Sequence, residues 1–164
     1  MNTYDLPNIS NNIAFEVFNE NGVSKLSHSD CLQKVNEFSF QTKINYNNII
    51  NSAPIFYPAN FNLGFLGAIS TKSYSVFPGS YNFNSILKMI EINKSEHLIC
   101  EDSLIDVQLN KEKIKEVIKI TEKVREVYVF TNESSLKEKN LETFKQIFVN
   151  ANFNFYSEFN FNKI

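Results

Sequence analysis

Across 164 residues the chain has no tryptophan, two cysteines, two histidines, four glycines and four prolines. Cys31 and Cys100 are too few and too far apart to build a disulfide framework or a zinc knuckle, and they read as small buried hydrophobes. His28 and His97 have no carboxylate or cysteine at ligand spacing, so each reads as a structural or surface residue rather than a metal ligand or a base. So few glycines leave no G-x-G-x-x-G fingerprint and no nucleophile elbow. Long apolar runs are also missing. The most apolar window, Ile55 to Val76, is broken by Pro58, Asn60, Asn62, Lys72 and two glycines, and is not a membrane span. The N-terminus, Met-Asn-Thr-Tyr-Asp-Leu-Pro, has neither a basic nor an apolar region, so no secretory signal is expected and a reduced, cytoplasmic protein is. The net charge of -2 provides no basic footprint for nucleic acid.

What is present is ordinary in amount. Hydrophobic residues make up 43% and charged residues 21%, which suits a globular protein with a buried core. The length predicts one α/β domain over residues 13–164 after a flexible tail of residues 1–12. Asparagine is frequent, and with lysine, isoleucine and phenylalanine it suggests a bias toward AT-rich codons. The asparagines are dispersed rather than stacked in a tract. The sequons at Asn8, Asn93 and Asn132 are those expected by chance in such a chain.

The stretch from Asn48 to Cys100 organises the rest. An apolar run, a proline-aromatic turn, a glycine-spaced apolar segment and a second β-rich run lead to a helix capped by Asn82 and a short strand. That order is a βαβαβ crossover unit. Before it, Ile13-Ala-Phe-Glu-Val-Phe alternates as a strand, Asn19-Glu-Asn-Gly is a turn, and Ser27 or Ser29 caps a helix through about Thr42. The predicted buried face of that helix carries Leu32, Val35, Phe38 and Cys31. After the unit, Asp102 to Leu109 has no clear period, and Glu101-Asp102 reads as a solvated loop after a strand end. Asn110 caps a helix with Ile114, Val117, Ile118, Thr121 and Val124 on one stripe. Its lysines are interleaved with Glu112, Glu116, Glu122 and Glu126, so their field largely cancels. A strand at Glu126–Phe130, a loop at Asn132, a helix marked by Leu141, Phe144, Ile147 and Phe148, and a strand at Phe153–Tyr156 complete the chain. The fold class is α/β with a largely parallel sheet.

In this order the chain resembles part of the large domain of the AMP-binding, adenylate-forming enzymes, the acyl-CoA synthetases in particular. Leu26-Ser27-His28-Ser29-Asp30 is similar to the helix that follows their phosphate loop. Ala53-Pro54-Ile55-Phe56-Tyr57 is similar to their P-L-[FY]-H turn, and Leu63-Gly64-Phe65-Leu66-Gly67 to the glycine-spaced helix. Lys72 to Pro78, Tyr81-Asn82 through Leu87 and Ile90, the strand at Glu126 and Phe155-Tyr156-Ser157-Glu158 follow as in the family. The resemblance covers most of this chain and only part of such an enzyme. The ribose-binding aspartate and the catalytic lysine of the family's small C-terminal domain would lie beyond Ile164.

That resemblance implies ATP-dependent adenylation of a fatty or other carboxylic acid, then thioester formation with CoA, with ATP and magnesium at the site. It places Asn21, Gly22 and Lys25 at the phosphate loop, Ser157 and Glu158 at the adenine–magnesium motif, and Tyr57 beside the acyl group. The motifs depart from the family pattern. The stretch Asn19 to Lys25 is short, has one glycine and carries Glu20, while Phe155 stands for a glycine beside the nucleotide. Taken from the residues alone, Lys25 is a solvated lysine after a turn, Glu158 an exposed carboxylate and Tyr57 a core or edge aromatic. The expectation is a fragment or remnant whose activity is impaired or lost in this chain alone. The alternative is a non-catalytic binding or oligomerisation module that docks on a full-length relative, as a homo- or hetero-oligomer, through sheet edges the remainder of such an enzyme covers.

Overall fold

The computed structural model describes residues 13–19, 22–42, 48–54, 57–71, 73–78, 82–105, 110–131 and 138–157. The expected tail, Glu158 and the loop at Asn132 lie outside these residues. The chain begins with β1 (Ile13–Asn19) and β2 (Gly22–Ser27), which pair antiparallel as a two-stranded sheet. Helix α1 (His28–Thr42) follows at once. Ser27 and Asp30 form a reciprocal cap. The Ser27 N–H donates to Asp30 Oδ2 at 2.9 Å and the Asp30 N–H donates to Ser27 Oγ at 3.1 Å. Ser27 Oγ also donates to Asp30 Oδ2 at 2.6 Å, and this bond, ahead of the one from the Ser27 N–H, holds the Asp30 carboxyl below its ordinary range.

Five parallel strands form the main sheet: β3 (Asn48–Asn51), β4 (Tyr74–Val76), β5 (His97–Glu101), β6 (Glu126–Thr131) and β7 (Asn152–Ser157). Their order is β4-β3-β5-β6-β7, with every neighbouring pair parallel. In chain order this is 2-1-3-4-5, the doubly wound arrangement that reverses direction between β3 and β5. The connections are a π-helical segment (Asn60–Leu66) continuing into α2 (Gly67–Ser70), then α3 (Phe83–Asn93), α4 (Lys111–Thr121) and α5 (Glu138–Ile147). The αβ alternation and the parallel sheet agree with the sequence expectation. The strand β2 was not expected, because Gly-Val-Ser-Lys-Leu-Ser lacks a strand's apolar alternation and pairs only because β1 lies beside it.

Both faces of the sheet are covered, so the central strands read as near-continuous apolar runs. Successive side chains of β5 and β6 divide between two cores. Ile50, Leu98, Cys100, Val127 and Val129 pack against Ile86 and Ile90 of α3, Val117 of α4, and Phe144 and Ile147 of α5. Ile49, Ile99, Tyr128, Phe130 and Tyr156 pack against Cys31 and Phe38 of α1 and against Leu63 and Ala68. Each fully buried Ile, Leu or Phe contributes about 1.5–3 kcal/mol of transfer free energy. Helix ends are satisfied locally. Asn82 accepts from the Ser85 N–H and Asn110 from the Lys113 N–H, both at 2.9 Å. Thr121 Oγ1 donates to the Ile147 carbonyl at 2.6 Å and so ties the end of α4 to the end of α5.

Candidate functional site

In an open α/β sheet ligands gather beyond the carboxyl ends of the strands, near the point where strand order reverses. Here that edge is formed by Asn51 ending β3 and Ser52 after it, Glu101 ending β5 and Asp102 after it, Thr131 at the end of β6 and Ser157 at the end of β7. Thr131 and Ser157 are buried and stand opposite each other in register. Asp102, expected in a solvated loop, instead opens a 3₁₀ turn (Asp102–Ile105), is half-buried, and accepts from Thr131 Oγ1 at 2.7 Å. Sequence reasoning singled out Ser157 but not Thr131, whose position depends on the β6–β7 register. Among the described residues no three His, Cys, Asp or Glu side chains come together as a metal site.

Beneath the β3 end lies a buried amide cluster. Asn60 Nδ2 donates to the Ala53 carbonyl at 2.7 Å, which fixes its amide and leaves Oδ1 to accept from Asn51 Nδ2 at 3.0 Å. Asn62 Nδ2 donates to the Cys31 carbonyl at 3.1 Å and links the π-helical segment to α1. Gly64 is required here. A Cβ would stand 2.1 Å from Asn60 Oδ1 and 2.9 Å from Asn51 Nδ2. The wide π-helical turn that these contacts accompany is a geometry found often at functional sites. Tyr57 is half-buried just before this helix, where its carbonyl accepts from the Phe61 N–H at 2.9 Å.

The expected phosphate side is different. Only Glu20 and Asn21 lie between β1 and β2, and both are outside the described residues. Gly22 opens β2 with φ of 126°, a conformation that suits glycine at a tight hairpin. Lys25 lies within β2 and pairs with Glu16 of β1 at 2.9 Å, with both side chains largely exposed. The hairpin therefore does not bring Lys25 and Ser157 together through any contact among the described residues.

His97 lies at the opposite end of β5. It is buried, stacks on Tyr128 and shares a 3.2 Å hydrogen bond between its Nδ1 and the Tyr128 hydroxyl. Burial lowers its pKa against the smaller opposing pull of Glu126 and Glu96. Burial likewise raises the Cys100 thiol far above its ordinary value and Tyr156 to about 12, with Glu126 adding to the latter. Both cysteines are free and buried. None of these groups faces the strand-end edge with a pKa suited to acid–base work near neutrality.

No family model and no curated protein matches the sequence. Solved structures do match the fold. A long-chain-fatty-acid-CoA ligase from Archaeoglobus fulgidus superposes with a TM-score of 0.61 at 13% identity, over 82% of this chain and 28% of that one. The luciferase-like enzyme of the mealworm Zophobas morio gives 0.63 at 21% identity, over 92% and 35%. A malonyl-CoA ligase with methylmalonyl-CoA and AMP bound gives 0.61 at 9% identity, over 81% and 29%. The chain shares its fold with part of each of these proteins. This chain spans about a third of the length of those three proteins. Among the described residues no helix is long and apolar enough to cross a membrane.

Proposed function

We propose that this chain is the nucleotide- and acyl-facing portion of an acyl-CoA-ligase scaffold, and that by itself it does not adenylate a carboxylic acid. One observation carries the second half. Two residues join β1 to β2, and the lysine that follows lies within β2 with the Glu16 carboxylate 2.9 Å away. Two residues reach at most about 7 Å. They offer too few backbone N–H groups to wrap a triphosphate, whose charge needs a run of such donors and a free cation.

The resemblance supports ATP-dependent adenylation of a fatty or other carboxylic acid, followed by transfer to CoA, as the ancestral chemistry. Tyr57 is then the acyl-side candidate. Ser157 and Glu158 are the nucleotide-side candidates, with Glu158 toward magnesium, and Asn21, Gly22 and Lys25 are a reduced phosphate side. ATP–pyrophosphate exchange by the purified chain, supplied with magnesium and short- or long-chain fatty acids, tests this. No exchange above a carboxylate-free control is expected. Turnover near ordinary enzyme values, about 1 s⁻¹ or more, overturns it.

A second reading, a docking or oligomerisation module, is favoured by the β4 edge. That strand pairs with β3 alone among the described strands, and Ile69, Tyr74 and Phe77 are exposed beside it. Sedimentation of a monomer at all accessible concentrations, with no partner retained, counts against that reading.

A further inference from the structure

A cleft lies at the amino end of β7, at the opposite end of that strand from Ser157, and it stands apart from the reading proposed above. We infer that this cleft binds a small aromatic anion, with Lys145 as its charge partner. The last turn of α5 and the turn after it supply Lys145, Phe148 and Val149, and β7 supplies Phe153 and Phe155. Together they border about 420 Å³, within the roughly 300–1,000 Å³ of small-molecule clefts. Phe153 and Phe155 alternate onto one face of β7, half-buried, with their rings 6.5 Å apart and 20° from parallel. Phe148 is a buried floor, whereas Val149 is 53% exposed and turns an apolar wall toward water. A flat aromatic body covers that wall and packs against the phenylalanine rings.

Charge selects the anion. Lys145 has no ion pair among the described residues. As a residue of the last turn of α5 it stands near carbonyls that carry partial negative charge. Two of these are already engaged: Ile147 accepts from Thr121 Oγ1 at 2.6 Å and Phe148 from the Ala151 N–H at 3.0 Å. The nearest carboxylate along the strand, Glu126, accepts from the Asn152 and Asn154 amides at 2.8 and 2.9 Å, and those residues alternate with the two phenylalanines onto the other face of β7. The Lys145 charge is therefore left for a ligand. The cleft is also set in place before any ligand arrives. Asn150 Nδ2 donates to the Glu122 carbonyl at 2.9 Å and the Asn152 N–H to the Arg125 carbonyl at 2.8 Å, which ties the turn to the end of α4 and the start of β6.

Amide NMR titration of the whole chain with 2-naphthoate, 2-naphthalenemethanol and 2-naphthylmethylamine separates the aromatic body from its charge. The signals of residues 145–155 are expected to move, and naphthoate to bind about fivefold or more tightly than the alcohol, the effect of one charge pair at about 4 Å in water. The amine should bind most weakly, and high salt should narrow the order. Lys145→Gln should bring naphthoate to within about twofold of the alcohol and leave the alcohol unchanged. Val149→Glu, at an exposed position, should weaken naphthoate about fivefold and favour the amine. Equal binding of the three compounds, a naphthoate-to-alcohol ratio that neither substitution moves, shifts confined to other residues, or no saturable shift with naphthoate overturns the inference. Sedimentation is run alongside. A concentration-dependent mass that naphthoate leaves unchanged and Val149→Glu abolishes would make a second copy the occupant and overturn it as well.

Discussion

The five-stranded sheet and the β1–β2 hairpin are both β structure, but different forces hold them. In the sheet, β5 and β6 bury both faces, with Leu98, Ile99, Val127, Tyr128, Val129 and Phe130 fully enclosed. The hairpin leaves Ile13 and Val23 about half exposed and touches the α1 core through half-buried Ala14 and Leu26. Its ion pair Lys25–Glu16 is on the surface, where such pairs contribute about 0–1 kcal/mol. An isolated two-stranded hairpin is marginal in water, so β1–β2 depends on its seat against α1. The part that packs is the parallel sheet with its helices, and the part expected to bind phosphate is the part least constrained by packing.

Four measurements can break or sharpen that contrast. The largest effect is expected in the sheet's core. Phe144→Ala empties a fully buried site between Phe148 and Phe153 and should cost about 3–5 kcal/mol in urea unfolding. A loss under about 1 kcal/mol would mean that α5 is not seated as described. Next, Gly64→Ala forces a methyl group into the Asn60–Asn51 contact and should cost about 1–3 kcal/mol, with the thermal midpoint falling accordingly. A neutral outcome would show that the amide cluster is loose.

A smaller loss is expected from acid. His97 has a folded pKa below its ordinary value of 6.5, so the unfolded chain takes up a proton that the folded chain refuses. Stability is therefore complete above about pH 6.5 and declines as the pH falls from there toward the lower folded value. Comparing urea midpoints at pH 7.5 and 5.5, with His97→Gln as the reference lacking this titration, isolates the effect. Equal slopes in the two proteins would remove His97 as its source. The smallest effect belongs to the hairpin. Lys25→Met should shift stability by less than about 1 kcal/mol and lose its salt sensitivity, read from melts at low and high ionic strength. A loss comparable to Gly64→Ala would make the hairpin an integral part of the core.

Much of the architecture was legible in the sequence. The runs His-Leu-Ile-Cys and Glu-Val-Tyr-Val-Phe are apolar on both faces, as central parallel strands must be. Asn82 and Asn110 stand where N-caps should and accept the expected N–H groups. The stripe from Ile114 to Val124 falls on the face that meets the core, with Val117, Thr121 and Val124 buried. The π-helical turn was not legible, because its accommodation rests on a buried amide partner from β3, nine residues before Asn60. The candidate site was legible only in part. Ser157 could be picked out from a motif, but Thr131 and Asp102 come together across a separation of 29 residues, which no local pattern encodes. Tyr57 lies just before the π-helical segment, whereas Lys25 was read without knowledge of Glu16 across the strand pair.

The two-residue link between β1 and β2 also has an evolutionary reading. It joins strands whose pairing lies outside the five-stranded sheet, so lengthening it disturbs no β3–β7 register. Each doubling of a flexible loop costs only about 0.6 kcal/mol in closure entropy. Insertion and deletion at this point are therefore nearly neutral for the scaffold, and the connection can lengthen or shorten there without refolding the rest. The hairpin tip is also the natural place to graft a glycine-rich loop when asking how little must be restored for nucleotide chemistry to return.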